Sequence, residues 1–341
     1  MEKEDEEECN DFEQPPKLIF IIPYRDREQQ YLFFRKHMAE VLSNYAPEEY
    51  VLWYIHQCDT RPFNRGALKN IGILLAQQKY PDDWENITLV FNDIDTMPFT
   101  SGYLNYETTR GVVKHFYGFM FALGGIVSIT AGDAYLIDGF PNYWAWGFED
   151  NALNHRVIGQ GLRIDRTQFH PILDKNIMYF HDGGVRQTNR IEFDRYFEKG
   201  KDGIRNISGL EYTERIREGD TNGIFMDVSA FTATTDPPTS QFETYDLSAG
   251  KRPFELTPAQ LKKLGVTPSP THSNSNAMFS RSTMFSRMQP ATTTATTTAT
   301  TTTTTTATTT ATTTFNNSNP NNTLTTEYAT PRLPYKFQMF I

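Results

Sequence analysis

Cysteine is nearly missing from this chain of 341 residues, with only Cys9 and Cys58 present. Two thiols, one of them in an acidic lead, do not make a disulfide framework, and a reducing compartment is the simpler reading. Long apolar runs are missing as well. No stretch approaches the ~18 consecutive apolar residues of a spanning helix, so no membrane span is expected. The opening MEKEDEEECNDFEQPP has no apolar segment ahead of the first strand-like run. It does not read as a signal peptide or anchor, and the cytoplasm is the expected location. A basic excess is lacking too: 32 Lys and Arg face 41 Asp and Glu, a formal charge of −9. That excludes a general nucleic-acid binder, which needs a positive surface for phosphate. Hydrophobic residues are sparse at 38%, and mean hydropathy is −0.53. Part of the chain is therefore expected to carry no core.

Aromatics, in contrast, are abundant at 13%, and most lie before residue 245. Residues 1–15 read as an acidic, Pro-terminated disordered lead. Residues 16–232 alternate strand-like and helix-like stretches. Leu18-Ile-Phe-Ile-Ile22 is a continuous apolar run closed by Pro23, as suits a buried parallel strand. A helix is predicted from about Glu28 to Asn44, and a second strand over Tyr50–Ile55. Arg65–Lys79 carries Leu68, Ile71, Leu74 and Leu75 at helical spacing. Ile87–Phe91 reads as a third strand. This βαβαβ order predicts a three-layer α/β sandwich with ligands at the carboxyl ends of its strands. Residues 233–341 read as a disordered Pro/Ser/Thr-rich tail, almost pure Thr and Ala from Ala291 to Thr314. Its one helical candidate is Thr257–Leu264. A Thr-rich stretch is an unstructured spacer or a carrier of O-linked sugar.

Three segments carry chemistry. Asn92-Asp93-Ile94-Asp95 sets two carboxylates at a strand end, where they can hold a hard divalent cation or merely shape a turn. Trp144-Ala-Trp-Gly-Phe-Glu-Asp150 sets indoles beside two acids. Aromatic faces and carboxylates suit a sugar pocket, and burial beside an indole would raise a carboxyl pKa towards that of a general base. The alternative is tryptophans in the core and acids capping a helix. Met178-Tyr-Phe-His181 spaces a thioether and an imidazole for one metal, although a lone His is ordinarily structural and a Met ordinarily core. Arg25, Arg27, Phe63 and Arg65 sit where a nucleotide would lie in such a fold, and Gly124-Gly125 would let a ligand approach the backbone.

Taken in order, these segments resemble the catalytic domain of the β-1,4-galactosyltransferase family over roughly residues 17–215. The matching pieces are IIPYRDR (21–27), FNRGALKN (63–70), NDIDTMP (92–98), LGGIVSIT (123–130), DGFPNYWAWGFEDN (138–151) and MYFH (178–181). The resemblance implies a GT-A fold with a mixed, mainly parallel sheet. It implies transfer of galactose or a related hexose from a UDP-sugar to a carbohydrate or glycoconjugate acceptor, with inversion and with Mn²⁺. It gives Pro23, Tyr24, Arg25, Arg27, Phe63, Arg65, Asp93 and Ile94 to the nucleotide, and Asp95, Met178 and His181 to the metal. Asp150 becomes the general base, with Glu149 in support. Trp146 lies on a small loop closing over the donor, and the stretch after His181, with Gly183 and Gly184, forms a larger lid.

The chain departs from the family pattern in several places. Asn151 and Ala152 stand where further aspartates are usual, which puts an N-acetylglucosamine acceptor in doubt, and Phe148 replaces a glycine. Lys114 lies about two residues out of register with a donor lysine. The missing anchor fits a cytoplasmic enzyme, or one of a virus factory or virion if the source is a large DNA virus. A catalytically silent sugar- or nucleotide-binding protein is the alternative in another class. Keeping Asp95, Met178, His181 and Asp150 together favours activity. Ala122 replaces a tyrosine that restricts the donor to galactose, leaving room for an N-acetyl group or another hexose, so UDP-GalNAc and UDP-glucose are alternative donors. Ala122→Tyr is expected to narrow donor use towards galactose; an unchanged donor profile would defeat this reading.

Overall fold

The computed structural model describes residues 14–180, 184–199, 201–246 and 254–263. The chain divides into one unit of residues 1–255 with 335–341, and another of residues 256–334. In the first, the expected βαβαβ order is present as β1 (Leu18–Tyr24), α1 (Glu28–Val41), β2 (Tyr50–Gln57), α2 (Arg65–Lys79) and β3 (Thr88–Asn92). There follow β4 (Thr96–Pro98), β5 (Val112–Gly118), β6 (Ile126–Thr130), α3 (Ala131–Leu136) and α4 (Glu149–Gly159). The rest is β7 (Arg163–Asp165), β8 (His170–Pro171), β9 (Ile177–Tyr179), β10 (Val185–Asn189), α5 (Arg190–Glu198), β11 (Ser208–Arg215), β12 (Gly223–Thr232) and β13 (Phe242–Asp246).

The main sheet runs β11-β12-β2-β1-β3-β6-β5-β7, with β8 also on β5. β12, β2, β1 and β3 are parallel; β6 runs against both β3 and β5, and β11 against β12. The sheet is thus mixed and mainly parallel. Alternation along β1 explains the layers. Ile19 and Ile21 pack with Ala67, Leu68 and Ile71 of α2, Ala134 of α3 and Leu153 of α4. Leu18, Phe20 and Ile22 point the other way, onto Tyr31, Phe34 and Met38 of α1. A strand covered on both faces has no polar side to show, which is why its sequence is unbroken apolar.

The boundary at residue 232 needs correction. β13 pairs antiparallel with β10, Val185 opposite Asp246 and Asn189 opposite Phe242. Tyr245 and Phe254 are buried. The strand gives β10 partners for its backbone groups, which an isolated two-edged strand would lack. The second unit contributes, among the described residues, the helix α6 (Pro258–Lys263), with Thr257 Oγ1 accepting from the Gln260 amide. The lead at 1–13 and the Thr-rich stretch lie outside the described residues. No described helix is long and apolar enough to cross a membrane.

His115 on β5 fixes the turn into β6. Its Nε2 donates to the carbonyls of Tyr117 (3.1 Å) and Gly124 (3.2 Å), and its Nδ1 accepts from Arg166 Nε (3.2 Å). Every ring nitrogen is used by the neutral form. Burial, and then the Arg166 charge, push its pKa down to about 4. The unfolded chain binds this proton below the ordinary ~6.5, the folded chain only near 4, so stability rises with pH between these values. Folding stability is expected to fall by about 3 kcal/mol as pH drops from 7 to 4. His115→Gln, which keeps a donor and an acceptor, should flatten that slope in urea denaturation across this range. An unchanged slope would remove His115 as its source.

Candidate active site

The site is built around Arg65, the first residue of α2. The helix start is fixed by Asn64, whose Oδ1 accepts from the Ala67 amide at 2.9 Å. The Asn64 amide in turn donates to Gln57 Oε1 at the end of β2 (2.9 Å). So held, the guanidinium takes Asp93 with a fork, Nε to Oδ1 at 2.9 Å and Nη2 to Oδ2 at 2.8 Å. Its Nη1 reaches both Glu149 Oε1 and Asp150 Oδ1 at 2.8 Å. Asp93 leaves the end of β3, and Glu149 and Asp150 open α4, so one cation joins three elements. The planar five-donor head of arginine suits this task, which a lysine could not perform. The two acids also lie in the first turn of α4, where the helix dipole favours negative charge.

One turn further along α2, Lys69 is buried, 1% exposed, with Nζ 3.3 Å from Asp150 Oδ1. Its ammonium also stands 4.5 Å from the Phe140 ring centroid, a cation–π contact in place of water. Burial, followed by the Arg65 charge, lowers the Lys69 pKa. Burial raises Glu149, and the Asp150 charge adds to it. For Asp150, burial alone would raise the pKa, but Arg65 and then Lys69 override it and the carboxyl titrates below its ordinary range. The expectation of a carboxyl raised by burial beside an indole thus applies to Glu149 and not to Asp150. The difference is cationic contact: Arg65 and Lys69 converge on Asp150 Oδ1. Both also reduce the shift of Glu149, but less than its burial raises it.

The paired glycines act differently from expected. A Cβ on Gly124 would lie 2.2 Å from Asp150 Oδ2, and one on Gly125 would lie 2.4 Å from the Tyr117 carbonyl oxygen. They make room for the protein's own carboxylate and backbone. The Leu123 amide donates to the Asp150 carbonyl at 3.0 Å, docking α4 against the same loop. Trp144 is buried, stacked 5.6 Å from Phe231, with Nε1 donating to the Thr235 carbonyl. It is a core residue. Trp146 is half-buried, and its amide donates to Gln187 of β10 at 2.9 Å. Phe148 adopts a left-handed φ of 72° and stacks on Tyr196 of α5.

The residues assigned to the nucleotide separate into groups. Arg25 lies over the Phe63 ring at 5.2 Å and donates to the Arg61 carbonyl at 2.7 Å, forming a cation and aromatic pair beyond the end of β1. Pro23 and Tyr24 are buried. The Tyr24 ring packs in a cluster with Tyr31, Tyr54, His56 and Phe225, so it serves the core. Arg27 caps α1, and Ile94 is buried.

Two of the three expected metal ligands lie on neighbouring backbone segments. β4 and β9 pair with Thr96 opposite Tyr179 and Met97 opposite Met178. The Phe180 amide donates to the Asp95 carbonyl at 2.8 Å. Asp95 therefore lies in the turn entering β4, next to the strand that carries Met178, and His181, two residues past β9, lies outside the described residues. A carboxylate and a thioether at this junction fit a divalent ion of borderline character. Lys69, Gln57 and His115 were not anticipated. Lys69 alone had a signal, a charge four residues from Arg65 on the buried face of a helix.

Two family models match the chain. One, described as the N-terminal region of glycosyl transferase group 7, covers residues 3–106; another, described as the N-terminal domain of galactosyltransferase, covers residues 113–182. Beta-1,4-galactosyltransferase 5 of Sus scrofa is 30% identical over 211 residues, 59% of this chain and 52% of that protein. The xylosylprotein 4-beta-galactosyltransferase of Caenorhabditis elegans is 32% identical over 160 residues, 44% of this chain and 53% of that protein. The chain thus spans about half the length of these curated relatives. The catalytic domain of Drosophila beta1,4-galactosyltransferase 7, solved with xylobiose, shares the fold at a TM-score of 0.50 and 20% identity, over 63% of this chain and 94% of that one. Fold and matches give the chain a GT-A-type fold. The chain belongs to the β-1,4-galactosyltransferase family.

Lys69→Met keeps the volume and removes the second cation on Asp150. The Asp150 pKa is expected to rise, read from the carboxyl ¹³C shift in a pH titration. A value that stays below the ordinary range would show that Arg65 alone sets it.

Proposed function

We propose that the chain transfers galactose or a related hexose from a UDP-sugar to an acceptor hydroxyl with inversion, with Asp150 as general base. The observation that carries this is the division of labour on one carboxylate. Arg65 and Lys69 both bind Oδ1, leaving Oδ2, beside Gly124, as the oxygen to receive a proton. Asp150 keeps 24% of its side chain exposed, so an acceptor can reach it. A depressed pKa keeps it ionised at neutral pH, the state in which it takes the hydroxyl proton as the new glycosidic bond forms. The two cations hold its position. Glu149, its pKa raised by burial, stands beside it, and its Oε2 is buried with no partner among the described residues. Such an atom fits a ligand hydroxyl.

On the leaving side, Asp95, Met178 and His181 would hold a divalent ion, manganese by family resemblance. When bound, it supplies neutralisation of the departing diphosphate. Arg25 and Phe63 offer charge and a ring face to the nucleotide. The acceptor class is guided by relatives: one is named for xylosylprotein, and another was solved with xylobiose. A xylose-bearing acceptor therefore belongs in the first panel, with N-acetylglucosamine, glucose, protein and lipid glycoconjugates.

The test is UDP release across UDP-sugars, with and without acceptors and Mn²⁺. Acceptor-dependent, Mn²⁺-dependent turnover is expected, and Asp150→Asn should lose about 10²–10⁴-fold while retaining donor affinity. Melting shifts with UDP-sugars but no turnover on any acceptor would instead favour a binding protein.

A further inference from the structure

We propose that His56, Cys58 and Asp227 form a second, separate binding site for a borderline-soft divalent cation, zinc by the chemistry of its donors. The backbone sets the site. β12 runs parallel to β2 with Asp227 directly opposite His56, so their side chains leave the sheet on one face. Cys58 lies two residues beyond His56, and its amide continues the ladder to the Val228 carbonyl at 2.9 Å, which returns its side chain to that face. Asp227 Oδ1 stands 2.7 Å and Cys58 Sγ 3.3 Å from His56 Nδ1. All three ligand atoms lie within 4.8 Å of one another.

This arrangement is poorly satisfied by protons alone. Both neighbours approach the same ring nitrogen, which carries at most one hydrogen. If Nδ1 donates to Asp227, the thiol retains only a weak contact at 3.6 Å to the His56 carbonyl. A cation between the three atoms satisfies all of them. Tetrahedral zinc separates N, O and S donors by roughly 3.3–3.6 Å, so the two contacts at Nδ1 need to lengthen by only a few tenths of an ångström. Arg215 need not be expelled. Its fork holds both oxygens, Nε to Asp227 Oδ2 at 2.6 Å and Nη2 to Oδ1 at 2.9 Å, so Oδ1 exchanges the Nη2 contact for the metal while Oδ2 stays with Nε as an outer partner. The Tyr24 and Phe225 rings pack edge-on at 5.1 and 6.2 Å and set the imidazole plane. Cys58 is exposed, which gives an ion a path in and leaves a fourth position for water. A thiolate selects zinc over the harder ions suited to Asp95.

The experiment uses the full chain in a Cys9→Ser background, stripped with chelator, so that Cys58 is the sole thiol. Stoichiometric Zn²⁺ is expected to slow alkylation of Cys58 at least tenfold, and Co²⁺ to give a thiolate charge-transfer band. Asp227→Asn should weaken that protection at least tenfold, whereas Asp95→Asn should leave it unchanged. Alkylation indifferent to zinc, or protection that survives Asp227→Asn and His56→Gln together, would overturn the proposal. Neither readout needs turnover, so the site stands or falls apart from the transferase reading.

Discussion

One arginine holds the centre of this molecule together. Arg65 gathers Asp93, Glu149 and Asp150 within 2.9 Å, and it is only 15% exposed. Burying so much charge is unfavourable unless each group is paired, and removing one member of such a set typically costs about 3–5 kcal/mol. Lys69 enters the account here. Arg65 and Lys69 together bring two cations to the carboxylates of Asp93, Glu149 and Asp150. Lys69 thus offsets negative charge that Arg65 alone would leave in excess. The same contacts explain opposite pKa directions in adjacent residues: Arg65 and Lys69 hold Asp150 down, while burial raises Glu149.

The sheet exists, from the viewpoint of this cluster, to deliver its parts. β3 brings Asp93, the β2 end brings Gln57 to fix Asn64 and so Arg65, and the β5–β6 turn brings Gly124 against Asp150. α4 begins at this point because its first two residues are acids that a guanidinium and a helix dipole both stabilise. His115, one strand away, holds the Gly124 carbonyl, so a neutral imidazole in the core sets the clearance around Asp150 Oδ2. These dependencies run through backbone hydrogen bonds and buried polar groups, which do not slide as apolar contacts do.

Much of this was legible in the sequence. The apolar run of β1, the spacing on α2 and the strand before Asp93 gave the layers and the order of the sheet, because burial on two faces removes polar residues from a strand. Asp93, Arg65, Glu149 and Asp150 were singled out as residue types in suspicious places, and they converge. What could not be read was the direction of individual side chains. Tyr24 and Trp144 belong to signature segments, yet both point into the core, since a motif fixes the path of the chain but not which face a ring takes. β13 was hidden because five residues pairing with a distant strand leave no local period. Lys69 was passed over as part of an amphipathic helix, where a lone charge is ordinarily solvent-facing.

The acid pair at the end of β3 shows why spacing alone misleads. Two carboxylates at i and i+2 suggest one shared ion. Here Asp93 spends both oxygens on the Arg65 fork, while the Asp95 carbonyl is bound by the Phe180 amide beyond β9. Asn92 makes this division possible: its buried amide donates to the carbonyls of Asp93 and Thr96 at 2.7 and 2.8 Å, closing a tight turn between the two acids. The first carboxylate is thereby tied to the cluster that holds Asp150, and the second to the strand that carries Met178. A four-residue turn, closed by Asn92, thus links the cluster that holds Asp150 to the strand pair that carries Met178.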